Sequence, residues 1–297
     1  MTHTALALAL ILFSAGCSSD YSFEREEFLL RYVPKEDALL VLEVQHGLCG
    51  EPGAAASALQ RLVEKRRVYP PEAGFIHVDF DETEKQVEPG KEQIHADFLE
   101  FGKAVSVLDA RVFVDADGRL SCLRLTRLAH LQRQLELVNA MTNRDASANE
   151  DRTKPFVPAF PVFDEDTRDA IRGAWALGHA WLRVEGSAIV LDAPMTGANA
   201  AACVEWLAKH GAEQAQADQP DWISQMTSLE ISKGHVKLRF SEAPKEIVRF
   251  SWETKSNPRD PAPLRAELAQ RKVEVGDWSA LSVAQARLGL AAPAKPK

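Results

Sequence analysis

Apolar and polar positions change rhythm several times along this chain, and each rhythm predicts an element. Residues 38–45, "ALLVLEVQ", form a dense aliphatic run of strand length and predict a buried strand. Just upstream, "SFEREEFLLRY" (22–32) puts its acids first and is stopped by Pro34, which predicts a short helix. Gly47, Gly50 and Gly53 punctuate a loop. Ala55, Ala56, Leu59, Leu62 and Val63 then recur at helical spacing opposite Gln60, Arg61, Glu64 and Lys65, predicting a helix to about Val68. "FIHVDFDE" alternates, with Ile76, Val78 and Phe80 on one side and His77, Asp79 and Asp81 on the other, the period of a strand.

After an acidic loop at 82–93, "VSVLDARVFVDADGRLSCLRL" places strand-like runs on both sides of Asp117-Gly118, a hairpin signal. A helix is expected next, carrying Leu128, Leu131, Leu135 and Val138. Residues 143–163 are polar and proline-rich, the composition of a linker or long surface crossing. Beyond them, "AWLRVEGSAIVLDAPM" predicts a hairpin turning at Glu185-Gly186-Ser187, then a helix with Ala200, Cys203 and Leu207 inward. "TSLEISKGHVKLRFS" predicts a hairpin turning at Lys233-Gly234, and "EIVRFSW" a neighbouring strand. Hairpin followed by helix thus occurs twice. Aligning 112–141 with 182–210 matches turn and helix with few identities, so either the motif is simply common or the chain is duplicated.

Antiparallel hairpins with helices packed on one face predict an α+β fold. The expected divisions are a leader (1–16), a tether and short helix (17–33), a first unit (34–142), the crossing (143–163), a second unit (164–290) and a tail (291–297). All six tryptophans fall in the second half, where they should supply much of the buried area.

Composition narrows the function classes. The 297 residues are 45% hydrophobic and 26% charged, with a net charge of -8. No basic stripe is rich enough to neutralise a nucleic-acid backbone; the densest run, Lys65-Arg66-Arg67, reads as the solvated end of a helix. Residues 1–15 carry no acid, and an almost unbroken apolar run of about eleven residues is too short for a bilayer but fits a signal-peptide core.

Ser14-Ala15-Gly16-Cys17 closes that run and resembles the lipobox of bacterial lipoproteins. The resemblance implies cleavage before Cys17, a diacylglycerol on its thiol, and membrane attachment through acyl chains. Ser18, rather than Asp, after the cysteine implies outer-membrane delivery facing the periplasm. The alternative is an ordinary secretory leader with an incidental cysteine. The resemblance covers only the first twenty residues or so.

Other candidate chemistry is sparse. Cys49, Cys122 and Cys203 permit at most one internal disulfide, in one of three pairings. Cys122 and Cys203 read as small core residues. Cys49, three residues from His46 in "HGLCGEPG", has the look of a nucleophile but needs a positioned base that sequence nearness does not provide. His77, Asp79 and Asp81 read as the wet face of an edge strand rather than a metal site. Asp115-Ala-Asp117-Gly118 has the opening of a calcium loop without its third acid or distal glutamate, and reads as a turn. Glu24, Glu26 and Glu27, and Asp164, Glu165 and Asp166, each open an expected helix, where negative charge is stabilising. No metal, cofactor or catalytic residue is assigned. Phe156, Phe160 and Phe163, spaced along extended chain, are the candidate partner contact. The reading is a lipid-anchored envelope protein, a non-catalytic interaction module. The alternatives are a binder of a small apolar or lipid ligand and, behind it, an envelope hydrolase whose paired carboxylates are not visible by spacing.

Overall fold

A computed structural model describes residues 21–64, 92–147, 164–186, 188–196, 198–199, 228–232, 235–240, 247–253 and 260–289. The expected α+β class holds: six helices and twelve strands are found among these residues. Strand β1 (Tyr21–Ser22) leads into β2 (Arg25–Val33), β3 (Ala38–His46) and β4 (Cys49–Gly50). Helix α1 (Pro52–Glu64) follows, and later α2 (Glu92–Ala104), β5 (Val105–Val114), β6 (Leu120–Ala129) and α3 (Leu131–Ser147). The chain continues with α4 (Glu165–Ala176), β7 (Leu182–Glu185), β8 (Ala188–Ala193), β9 (Ser228–Ser232), β10 (His235–Phe240) and β11 (Ile247–Glu253). It closes with α5 (Ala262–Gln270), β12 (Val275–Gly276) and α6 (Ser279–Arg287).

The main sheet has six strands in the order β11-β2-β3-β6-β5-β12. Every pairing in it is antiparallel except β12 on β5, where Val275 lies opposite Val112. The aliphatic run predicted as a strand is β3, one of the two central strands, with Leu42 between Leu29 and Leu125. The residue 22–32 segment is not a helix. It forms most of β2, paired along its length with β3 on one side and β11 on the other. Its acids and arginines gave a helical impression, but Glu26, Phe28, Leu30 and Tyr32 share one face and Leu29 packs on the other, so burial on both faces and two ladders outweigh local preference. "EIVRFSW" is also placed elsewhere: as β11 it joins β2 rather than the β9–β10 hairpin. Segments 34–142 and 164–290 therefore share this sheet.

Helices lie against both sides. On one side Leu42, Val44, Phe113 and Leu125 pack with Ala280 and Ala284 of α6 and with Leu288. On the other, Val112, Leu120 and Cys122 pack with Ala55, Ala56 and Leu59 of α1, Leu264 and Leu268 of α5, and Tyr21 and Phe23. Pro52 starts α1, where its missing N–H costs nothing, and the Glu51 carboxylate accepts from Ala54 N at 2.8 Å. The predicted inward face of α1 is the buried one: Ala55, Ala56 and Leu59, flanked by Leu62 and Val63.

The β5–β6 hairpin turns where expected, with Val112 opposite Cys122. Its register shifts at Leu108, which stands half exposed. Leu128 belongs to β6 and not to the helix that follows, which begins at Leu131. The β2–β3 turn caps that helix, since Asp37 Oδ1 accepts from Gln132 N and the Asp37 carbonyl from Leu131 N. The residue 143–147 stretch, expected in the linker, continues α3.

A second sheet has the order β7-β8-β10-β9, with both predicted hairpins in it. Asn139 of α3 fastens its first strand by a two-way bond: Nδ2 donates to Leu182 O at 2.7 Å and Oδ1 accepts from Leu182 N at 2.9 Å. One turn on, Asn143 Oδ1 accepts from Trp181 Nε1 at 2.8 Å. Trp175 and Trp181 are both buried, with ring centroids 6.1 Å apart. Asp164 caps α4 by accepting from Thr167 N, as its position before a helix implied, and its carboxyl is held below the usual value by Asn199 and that N–H.

Candidate functional site

Strand residues alternate between faces, so Glu43 and Gln45 of β3 point to one side of the main sheet and His46 to the other. Each side carries a buried polar cluster.

The first cluster lies across three strands and β1. Register places Glu26 beside Gln45, Gln45 beside Cys122, and Glu43 beside Arg124. Exposure of Glu26 is 1%, of Gln45 1%, of Glu43 5% and of Arg124 5%, so these groups have left water altogether. Arg124 Nη2 donates to Glu43 Oε2 at 2.6 Å. Gln45 Nε2 donates to Glu26 Oε1 at 2.7 Å and to Glu43 Oε1 at 3.2 Å. Gln45 Oε1 accepts from Tyr21 Oη at 3.0 Å and from the Cys122 thiol at 3.4 Å. Burial, then the Glu43 charge, pushes the Glu26 carboxyl well above its ordinary value. Burial pushes up the Tyr21 hydroxyl and the Cys122 thiol as well, so both stay protonated donors. Cys122 is thus the small core residue expected, free of any disulfide.

The second cluster centres on Asp115 at the end of β5. Its Oδ1 accepts from Asp117 N and Arg119 N, which makes the Asp-Ala-Asp-Gly stretch a hairpin turn closed by its own carboxylate. Its Oδ2 takes His46 Nδ1 at 3.3 Å, Ser121 Oγ at 3.2 Å and Arg119 Nε at 3.2 Å. Burial pushes this carboxyl up, but the bonds from His46, the Arg119 backbone and Ser121, with the Arg119 charge, hold it far below the ordinary value. Arg119 also reaches Glu24 at 3.2 Å. Glu24 occupies the space beside Gly47, where an added Cβ would lie 2.6 Å or less from it, and Gly47 has a φ of 68°. Serine, histidine and aspartate meet here, but Ser121 bonds the aspartate rather than the imidazole, so the order differs from a triad in which the imidazole faces the hydroxyl.

The sign of the Asp115 effect on stability follows from that lowered value. Its contribution is complete above the unfolded carboxylate range, near pH 4, and fades as pH falls through and below it. Asp115→Asn is expected to lose about 1.5–3 kcal/mol at pH 7, the scale of hydrogen bonds to a charged group. The gap between the two proteins should narrow below about pH 4 in urea titrations, in line with that reference value. A gap that widens on acidification contradicts this.

Cys49 is buried and free, with Ser22 Oγ 3.0 Å from its sulfur. His46 turns to Asp115, so Cys49 and His46 have separate partners. Glu24, Glu26 and Glu27 do not open a helix; they flank and enter β2, and Glu26 is the buried acid that the spacing concealed. The readable signal was in β3, where Glu43 and Gln45 sit two apart in a run too apolar to be solvated. Cys17, Phe156, Phe160, Phe163, Cys203, His77, Asp79 and Asp81 lie outside the described residues.

Among the described residues no group of three or more His, Cys, Asp or Glu is arranged to hold a metal ion, and no helix is long and apolar enough to cross a membrane. A concavity of about 670 Å³ between α2 and α3 is walled by charges that bond each other: Arg133 meets Glu100 at 2.8 Å and Glu136 at 3.3 Å. A smaller groove, about 370 Å³, is lined by Val114, Ala269, Val273 and Val275 with Arg265. Comparison with known protein families, with curated proteins and with solved structures finds no match to this chain.

Proposed function

We propose that the chain is a lipid-anchored protein of the bacterial envelope whose α+β body serves as a non-catalytic interaction or scaffold module. The observation that carries this reading is the join between lipobox and body. Tyr21 is buried and bonded to Gln45, and it stands four residues beyond Cys17. Four extended residues reach about 14 Å at most, so acyl chains on Cys17 hold the body close to the bilayer surface. Each buried methylene contributes about 0.8 kcal/mol, which lets two or three chains hold a soluble body without a transmembrane helix. The polar groups gathered inside the body bond to one another, which supports a structural use for them. The apolar groove by β12 favours the second reading, a binder of a small apolar or lipid ligand, since its volume is within the lower part of the range such ligands fill.

Mass spectrometry of the native N-terminus and membrane fractionation test the anchor together. The mature chain is expected to begin at Cys17 with acyl mass on it, and Cys17→Ser is expected to shift the protein from membrane to soluble fractions. An unmodified N-terminus, or a Cys17→Ser protein that stays with the membrane, rejects the anchor. Crosslinking in intact membranes is expected to return a reproducible partner, and an empty result counts against the interaction role.

A further inference from the structure

The donors of the Glu26 cluster can be counted one by one. Gln45 spends both amide hydrogens, one on Glu26 Oε1 and one on Glu43 Oε1. The Tyr21 hydroxyl and the Cys122 thiol are spent on Gln45 Oε1. The cation, Arg124, is placed on Glu43 at 2.6 Å. Glu26 Oε2 receives nothing: it is buried without a hydrogen-bond partner. Among the described residues, two carboxylates and one guanidinium in a dry interior leave one negative charge uncompensated, a costly arrangement. A single hydrogen on Glu26 removes both problems, because it neutralises the surplus charge and turns a carboxyl with an unpaired oxygen into a donor toward Glu43, the neighbouring carboxyl to which it is hydrogen-bonded.

We propose that Glu26 and Glu43 hold one proton between them, and that this proton makes the β1–β2–β3 rung of the main sheet a pH-sensitive clamp. Among the described residues, the titratable and charged groups facing Glu26 are Tyr21 from β1, Glu43 from β3, and Cys122 and Arg124 from β6; its register partner on β11 is Trp252, which does not titrate. With the proton in place, Gln45 bridges both acids and presents its oxygen to Tyr21, so the start of the body is held to the sheet. With the proton gone, two anions share one amide and one guanidinium, and the rung is driven apart. The direction follows from burial raising the Glu26 carboxyl: its contribution is complete below the ordinary carboxyl range and is lost as pH rises toward the folded-state value. This clamp stands independently of the lipid anchor.

Glu26→Gln imitates the protonated form and supplies an N–H toward Glu43. Urea unfolding of the wild-type and Glu26→Gln proteins from pH 5 to 9 is the test. The wild-type folding constant is expected to fall relative to the variant by up to tenfold per pH unit through the part of this range where Glu26 stays protonated, the limit for one proton released on unfolding. Parallel profiles overturn the proposal. Should the variant fail to fold, infrared difference spectroscopy of the wild-type protein decides: a protonated-carboxyl C=O band persisting at pH 7 supports the shared proton, and its absence overturns it.

Discussion

Arg124→Met is expected to lower folding stability by about 3–5 kcal/mol, the usual cost of stripping the partner from a buried charge. Methionine fills much of the arginine volume, so the loss reports the charge rather than a hole. Glu43 would keep the amide hydrogen from Gln45, at 3.2 Å, and the proton it shares with Glu26, but the negative charge of the pair would lose the guanidinium that faces it. Changing Glu43 to Leu as well removes the stranded acid and is expected to recover part of the loss, since a buried ion pair is often replaceable by apolar packing. Urea unfolding of the single and double variants at pH 7 measures both. A single-variant loss below about 1 kcal/mol, the scale of an exposed pair, would show that the guanidinium is solvated.

Asn139→Ala is expected to cost about 2–6 kcal/mol. Its side chain bonds both the N–H and the C=O of Leu182, and both groups are buried against α3. Truncation leaves one orphan donor and one orphan acceptor, each worth about 1–3 kcal/mol when shut away from water. The loss should be local first, because Asn139 holds β7 at the point where the second sheet meets the helix leaving the first. Hydrogen exchange gives the sharper readout: the Leu182 amide should lose protection before the β3 amides do. Equal loss at both sites would mean that α3 and β7 do not form a separable contact.

Much of this architecture was readable as period and punctuation. The paired strands β5–β6, β7–β8 and β9–β10 have Asp-Gly, Glu-Gly and Lys-Gly between them in the sequence, and α1 carries an apolar stripe behind Glu51 and Pro52. Their signals are local, so local reading found them. β2 was misread because its local pattern does not report the ladders on its two edges: the adjacent β3 supplies one and β11, more than two hundred residues later, the other. The Glu26 cluster was hidden for the same reason. Glu26 looks like one of three helix-opening acids until Gln45 and Arg124 are placed beside it, and nothing within ten residues reports that neighbourhood. By contrast Asp164 was read correctly because a cap needs only the next turn of its own helix. No spacing rule reaches Asn139, whose partner is 43 residues on.

The outermost strands of the main sheet, β11 and β12, are contributed by the last fifth or so of the polypeptide. A ribosome therefore releases β2 and β5 long before the strands that cover their outer edges exist, and a chain emerging N-terminus first must wait for residue 276 before the six-strand order is complete. Such long-range closure implies slow maturation and a need to keep unfinished ladders from pairing with other nascent copies.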